Sequence, residues 1–94
     1  MKLRPEVQRF AEEMEKQLQA NEHKGGWKDC TGKFLLEEMA KNRAELILLL
    51  EEIVLGFTGN QRKDLFRRAA NIANFAMMVA DNWGGLMEGG GNDA

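Results

Sequence analysis

Two short series of polar residues interrupt segments that are otherwise mainly apolar. They are Glu38, Asn42 and Glu45 in one segment, and Arg67 or Arg68, Asn71 and Asn74 in the next. Intervals of three and four residues place side chains on one face of a helix. If the two helices pack antiparallel, the polar faces meet and form either a hydrogen-bond network or a ligand site.

The segment from Arg67 to Asn82 is the one around which the chain is organised. Apart from its ends, it is small or apolar except at Asn71 and Asn74. A helix that is apolar on nearly every face must be surrounded by protein. A buried amide without a partner costs about 1–3 kcal/mol, so these two side chains need partners. The sequence therefore predicts a central helix here.

The remaining periodicity predicts an all-α fold. Pro5 suits the first turn of a helix that ends near Ala20, and Thr31 is a candidate N-cap for a second helix reaching about Phe57. The third helix is expected to begin around Asn60. We expect an N-terminal helix plus an antiparallel hairpin, assembling into an oligomeric bundle. Residues 1–83 would form one domain and residues 84–94 a flexible glycine-rich tail.

Composition excludes several classes of protein. The net charge of −2 makes no strong case for nucleic acid. One cysteine and one histidine cannot form an internal disulfide or a usual structural zinc site. Fully apolar runs such as Leu46 to Leu50 are far too short for a membrane span. We expect a cytoplasmic protein.

The second helix carries a wide apolar arc. Between Leu46 and Leu55 only Glu51 and Glu52 are polar, which is too apolar for a single partner helix. Such a surface is typical of an interface, so self-association into a homodimer or homotetramer is expected.

Two other stretches have both a structural and a functional interpretation. Trp27 either covers the end of the core or stacks on a base while Lys24 or Lys28 contacts phosphate. Cations near the start of a helix oppose its macrodipole. Those at the start of the third helix form either a solvated face or a phosphate site. They are Arg62, Lys63, Arg67 and Arg68.

Four short motifs resemble the all-α nucleoside triphosphate pyrophosphohydrolases of the MazG-like family, in particular its small phage and bacterial members. The motifs are His-Lys-Gly-Gly-Trp at 23–27, Phe-Leu-Leu at 34–36, Ala-Glu-Leu at 44–46 and Ala-Asn-Phe-Ala-Met-Met-Val-Ala-Asp-Asn at 73–82. The resemblance covers roughly residues 5 to 82. It implies dimers or tetramers of helical hairpins that release pyrophosphate.

The resemblance also implies Mg²⁺ bound by Glu-Glu-x-x-Glu on one helix and Glu-x-x-Asp on the next. This chain has Lys-Asn-Arg-Ala-Glu at 41–45 and Arg-Ala-Ala-Asn at 68–71. Only Glu45 keeps its carboxylate, whereas Lys41 and Arg68 are cations. Hard Mg²⁺ needs several oxygen ligands, so we expect no metal site of the family kind.

Three hypotheses follow. In the first, the chain binds a nucleotide or another phosphate ligand, and Lys41 and Arg68 supply charge in place of Mg²⁺. Its candidate ligand-binding residues are Lys24, Trp27, Glu38, Lys41, Asn42, Glu45, Arg68, Asn71 and Asn74. The second is an active Mg²⁺-dependent pyrophosphohydrolase with Glu45 as its residual catalytic carboxylate.

The third hypothesis is a structural or partner-binding oligomer. Lys41 and Glu45 would then form an ordinary i,i+4 ion pair. Arg68 would pair with Glu38 or Glu45 across the two helices.

Overall fold

A computed structural model describes residues 1–52, 56 and 58–85. The described chain folds into three α-helices and one short 3₁₀ turn. These are α1 (Pro5–Ala20), the 3₁₀ turn Glu22–Lys24, α2 (Gly32–Glu52) and α3 (Gly59–Gly84). The described ranges contain no strand, which confirms the all-α prediction. None of the described helices is long and apolar enough to cross a membrane.

Local signals set the helix ends. Thr31 Oγ1 accepts the backbone N–H of Phe34 at 3.1 Å, as expected for an N-cap. A reciprocal capping box joins Thr58 and Gln61, and α3 begins at Gly59, one residue before the prediction. At its other end Gly85 takes a left-handed conformation with φ of 71°, which glycine adopts without steric cost.

Two predicted helix ends are not confirmed: one lies outside the described residues, and the other differs from the structure. The described part of α2 ends at Glu52, and Gly56 is not helical; the expected end at Phe57 lies outside the described residues. Gly84 belongs to α3, because the left-handed residue that stops the helix is Gly85. Gly84, which the prediction placed in the tail, is thus helical, and residues 86–94 lie outside the described part.

The third helix is central, as predicted. Both α1 and α2 pack against α3, whereas the backbones of α1 and α2 do not approach each other within the described residues. The α2–α3 pair is antiparallel: Gln61 donates to Glu52 at 3.0 Å at one end. At the other end, the ring of Trp83 lies 3.5 Å from where a Cβ on Gly32 would be.

The interior contains as many polar as apolar residues among those described. The buried apolar side chains are Leu35, Leu49 and Ala70, and the buried polar ones are Asn42, Asn74 and Asp81. Burying a polar group is unfavourable unless it is hydrogen-bonded. The polar contacts of α3 are therefore central to how the three helices fit together.

The apolar arc of α2 remains largely on the surface of the single protomer. Its side chains Ile47, Leu48 and Leu50 are at least 40% exposed, as are Phe34 and Leu36 in the first turns of α2. Within the described residues, no second helix covers this face.

Candidate functional site

The three helices line a cavity of about 600 Å³ that is open to solvent, which we call the inter-helix cavity. Side chains of α3 line it together with side chains of α1, α2 and the loop that joins them. It exists because the backbones of α1 and α2 approach α3 but not each other, which leaves a gap above α3. Its volume lies in the range of small-molecule sites.

Seven of the nine residues predicted to bind a ligand line this cavity. They are Lys24, Trp27, Glu38, Asn42, Arg68, Asn71 and Asn74. Lys41 and Glu45 do not line it. Aromatic and apolar side chains, including Phe34 and Phe75, complete the lining. The cavity thus combines apolar surface with a few polar groups from separate helices, as ligand sites do.

The two polar series meet at Asn42, as predicted. The Oδ1 atom of Asn42 accepts from Arg68 Nη1 and from Asn71 Nδ2, each at 3.3 Å. The Nδ2 atom of Asn42 donates to the backbone carbonyl of Glu38 at 2.9 Å, which fixes the orientation of the amide. We call Asn42, Arg68 and Asn71 the polar seam. Its two cross-helix bonds are at the long end of the normal range.

Arg68 forms two long ion pairs, and the one with Glu45 is a pair that the third hypothesis predicts across the two helices. Its Nη2 atom lies 4.0 Å from Glu45 Oε1, and its Nε atom lies 3.6 Å from Asp64 Oδ1. The Nε atom is buried and makes no hydrogen bond in the described structure. Guanidinium groups bind carboxylate or phosphate through paired, shorter bonds. Arg68 therefore keeps donor capacity for an anion.

Lys41 makes a different contact from the one expected. Its Nζ atom lies 2.8 Å from Glu38 Oε2, so the predicted Lys41–Glu45 pair is wrong. A hydrogen bond to the Glu38 carboxylate, together with its charge attraction, raises the pKa of Lys41 above the ordinary value of 10.5. The Lys41 side chain is 74% exposed and so lies on the solvent side of α2.

A second polar cluster, which we call the loop anchor, fixes the loop before α2 to the end of α3. Trp27 Nε1 donates to Asp81 Oδ2 at 3.0 Å, and Lys28 Nζ lies 3.0 Å from the same oxygen. Asn82 Nδ2 donates to the carbonyl of Trp27 at 2.8 Å. These contacts hold the indole ring of Trp27 at one end of the cavity.

Sequence reasoning missed Asp81 and Asn82 as positioning residues. The available signal was the interval of seven residues, two helical turns, between Asn74 and Asp81. Trp27 is half-buried and lines the cavity, and its stacking on a base stays a prediction.

Asn74, the second amide of the central helix, has its own hydrogen-bond partner. Its Nδ2 atom donates to the backbone carbonyl of Met14 at 3.0 Å, which ties α3 to α1. Its Oδ1 atom is buried and has no hydrogen-bond partner within the described structure. The side chain thus joins two helices beside the cavity and retains an acceptor there.

The donor set does not fit Mg²⁺ bound in the manner of the MazG-like family. Within the described ranges, no group of three or more His, Cys, Asp or Glu side chains is arranged to hold a metal ion. At the corresponding positions Asn42 offers an amide oxygen already shared by two donors, and Arg68 brings a positive charge. Such a site repels a dication and lacks the carboxylates that hold it.

No family model, curated protein or solved structure matches this chain.

Proposed function

We propose that this chain is a MazG-like helical protein that binds a nucleotide or another phosphate ligand in the inter-helix cavity without metal-dependent hydrolysis. The observation that carries the proposal is the convergence of seven predicted residues on one cavity of about 600 Å³. These residues come from distant parts of the chain, and helical periodicity alone does not bring a loop tryptophan to the same place as Arg68.

The polar seam would supply the anion contacts. Arg68 is the charged group, and its buried Nε atom has no hydrogen-bond partner in the described structure. The Asn71 amide lies beside it on α3 and shares its acceptor, Asn42 Oδ1. Lys24 and Arg67 also line the cavity and add positive charge. The charge that the sequence hypothesis assigned jointly to Lys41 and Arg68 is thus assigned to Arg68.

The indole ring of Trp27 would stack on the base of a nucleotide. Stacking of a base on an aromatic ring contributes about 1–3 kcal/mol. The loop anchor holds the indole N–H on Asp81, so the ring keeps its orientation before a ligand arrives. A ring that is held in place loses little conformational entropy on binding.

Isothermal titration calorimetry tests this function. The four common ribonucleoside triphosphates and their monophosphates would be titrated in EDTA and again in Mg²⁺. We expect at least one nucleotide to bind in EDTA, and Arg68→Ala to weaken it about tenfold, as the loss of a charged hydrogen bond predicts. Arg43→Ala is the matched control, because Arg43 is exposed and lies outside the cavity lining.

Two results would contradict the proposal. The first is the absence of binding across the nucleotide panel. The second is Mg²⁺-dependent release of pyrophosphate that Glu45→Ala abolishes, because that outcome supports the active pyrophosphohydrolase.

Self-association into a homodimer or homotetramer is proposed on a separate observation. The exposed apolar side chains of α2 form a surface that a partner helix would cover. Sedimentation of Leu48→Glu should show a smaller species than the parent protein. Val7→Glu is the matched control, because Val7 is similarly exposed but lies on α1. An unchanged mass of the Leu48 variant, or a monomeric parent, would contradict self-association through α2.

A further inference from the structure

A second opening lies beside the inter-helix cavity, between α1 and the first turns of α3. It has a volume of about 500 Å³, and we call it the basic cleft. Four cations and two carboxylates line it, which gives the lining a net charge of +2. The cations are Lys16, Arg62, Lys63 and Arg67, and the carboxylates are Glu13 and Asp64. The whole chain, by contrast, has a net charge of −2.

Most of this positive charge is not neutralised within the fold. Arg67 pairs with Asp64, but Lys16, Arg62 and Lys63 form no ion pair with any described residue. Of the two carboxylates, Glu13 accepts a hydrogen bond from Gln17 at 2.7 Å, and that amide is uncharged. The cleft is therefore a concave surface with cations available to an external anion.

The position of these cations is unfavourable for the helix that carries them. Arg62 and Lys63 lie in the first turns of α3, where the positive end of the macrodipole disfavours them. The first turn of α3 contains no acidic residue. Lys16 adds like charge from α1 across the cleft. An anion in the cleft would convert this repulsion into attraction, both to the side chains and to the helix dipole.

The basic cleft and the inter-helix cavity adjoin. Gln17 and Arg67 line both of them. Asp64 connects them further, because it lines the cleft and lies 3.6 Å from the buried Nε atom of Arg68. Arg67 thus lies on the boundary between the two openings. A single elongated ligand that passes Arg67 would contact both openings.

We propose that the basic cleft is a second anion subsite, which binds the phosphate chain of a ligand whose other end occupies the inter-helix cavity. The position of the ligand in this proposal rests on the proposed function. The positive charge of the cleft does not, because it follows from the residues that line it. The shared chemistry is a linear chain of two or more phosphates. It belongs either to a nucleotide or to free inorganic polyphosphate.

Calorimetry in EDTA with three probes tests the subsite: a nucleoside monophosphate, the corresponding triphosphate and inorganic tripolyphosphate. We expect the triphosphate to bind about tenfold more tightly than the monophosphate, since each exposed ion pair contributes modestly and three are available. The triple variant Lys16→Ala, Arg62→Ala, Lys63→Ala should lose that gain and keep the monophosphate affinity. Added salt should also reduce the gain, because exposed charges are screened.

The matched control removes the same charge elsewhere. Lys2, Lys33 and Arg43 are exposed and line neither opening. Their triple alanine variant should leave the triphosphate gain intact. An equal loss in this control would overturn the subsite, because the gain would then reflect overall charge. Equal affinity of the parent protein for monophosphate and triphosphate would also overturn it.

Tripolyphosphate separates failure of the subsite from failure of the proposed function. If no nucleotide binds but tripolyphosphate does, and the Lys16, Arg62, Lys63 variant loses it, the cleft is an anion site for free phosphate chains. If neither tripolyphosphate nor any triphosphate binds at low salt, the subsite is refuted. Circular dichroism of each variant verifies that the helices are retained.

Discussion

The loop anchor and the polar seam are two polar clusters on the central helix. Each contains a charged side chain, of opposite sign, and the two differ in how closely their partners contact that charge. In the loop anchor, the buried Asp81 carboxylate has partners at 3.0 Å from Trp27 and Lys28. In the polar seam, Arg68 contacts Asn42 at 3.3 Å and two carboxylates at 3.6 and 4.0 Å. The first cluster has short charge-assisted bonds, whereas the second has only long ones.

The difference separates a structural cluster from a candidate binding site on one helix. Short bonds from two directions fix Asp81, so the loop anchor contributes mainly to the stability of the fold. Long contacts leave Arg68 able to exchange its present partners for a better acceptor. A ligand phosphate would be such an acceptor, because it offers oxygens that a guanidinium can contact in pairs.

The largest effect on stability is expected at Asp81. Asp81→Asn keeps the shape but removes the charge that both Trp27 and Lys28 contact. We expect a loss of about 1.5–3 kcal/mol, the range for hydrogen bonds to charged groups. Urea unfolding monitored by circular dichroism measures it.

Asp29→Asn is the control for the Asp81 variant, since Asp29 is exposed in the same loop. Equal stability of the Asp29 and Asp81 variants would show that the loop anchor does not stabilise the fold.

A smaller effect on stability is expected at Arg68. Arg68→Met keeps the length of the side chain and removes only long polar contacts, so we expect a change of under about 1 kcal/mol. The same variant should weaken nucleotide binding about tenfold, as is expected for Arg68→Ala. A stability loss as large as that of Asp81→Asn would erase the distinction between the two clusters and identify the polar seam as structural.

The smallest effect is expected at Lys41, which lies on the solvent side of α2. Its pKa is raised in the folded state by the Glu38 carboxylate. The contribution of this pair is therefore complete below the ordinary pKa of 10.5 and is lost as pH rises through the higher folded pKa. Melting temperatures of the parent and Lys41→Met should differ slightly at pH 7 and converge as the pH rises through the folded pKa.

Nucleotide affinity of Lys41→Met should equal that of the parent protein at pH 7. A loss of nucleotide affinity comparable with that of Arg68→Met would show that Lys41 contacts the ligand, and would contradict its assignment to the solvent side.

The sequence by itself determined the helices and the meeting of their polar faces. Periodicity and caps are local, so Pro5 and Thr31 marked helix starts that the structure confirms. The intervals that place Asn42 on one face of α2, and Arg68 and Asn71 on one face of α3, are equally local. Antiparallel packing was enough to bring these three residues together.

Only the tertiary structure decided which partner each long side chain takes. Glu38 and Glu45 both lie at helical spacing from Lys41, and sequence intervals do not distinguish them; the structure selects Glu38. Trp27 and Asp81 are 54 residues apart, so no local pattern pairs them. The basic cleft likewise exists only because α1 brings Lys16 to the first turns of α3. Side-chain spacing follows from helix geometry, but contacts between distant segments depend on how the helices pack.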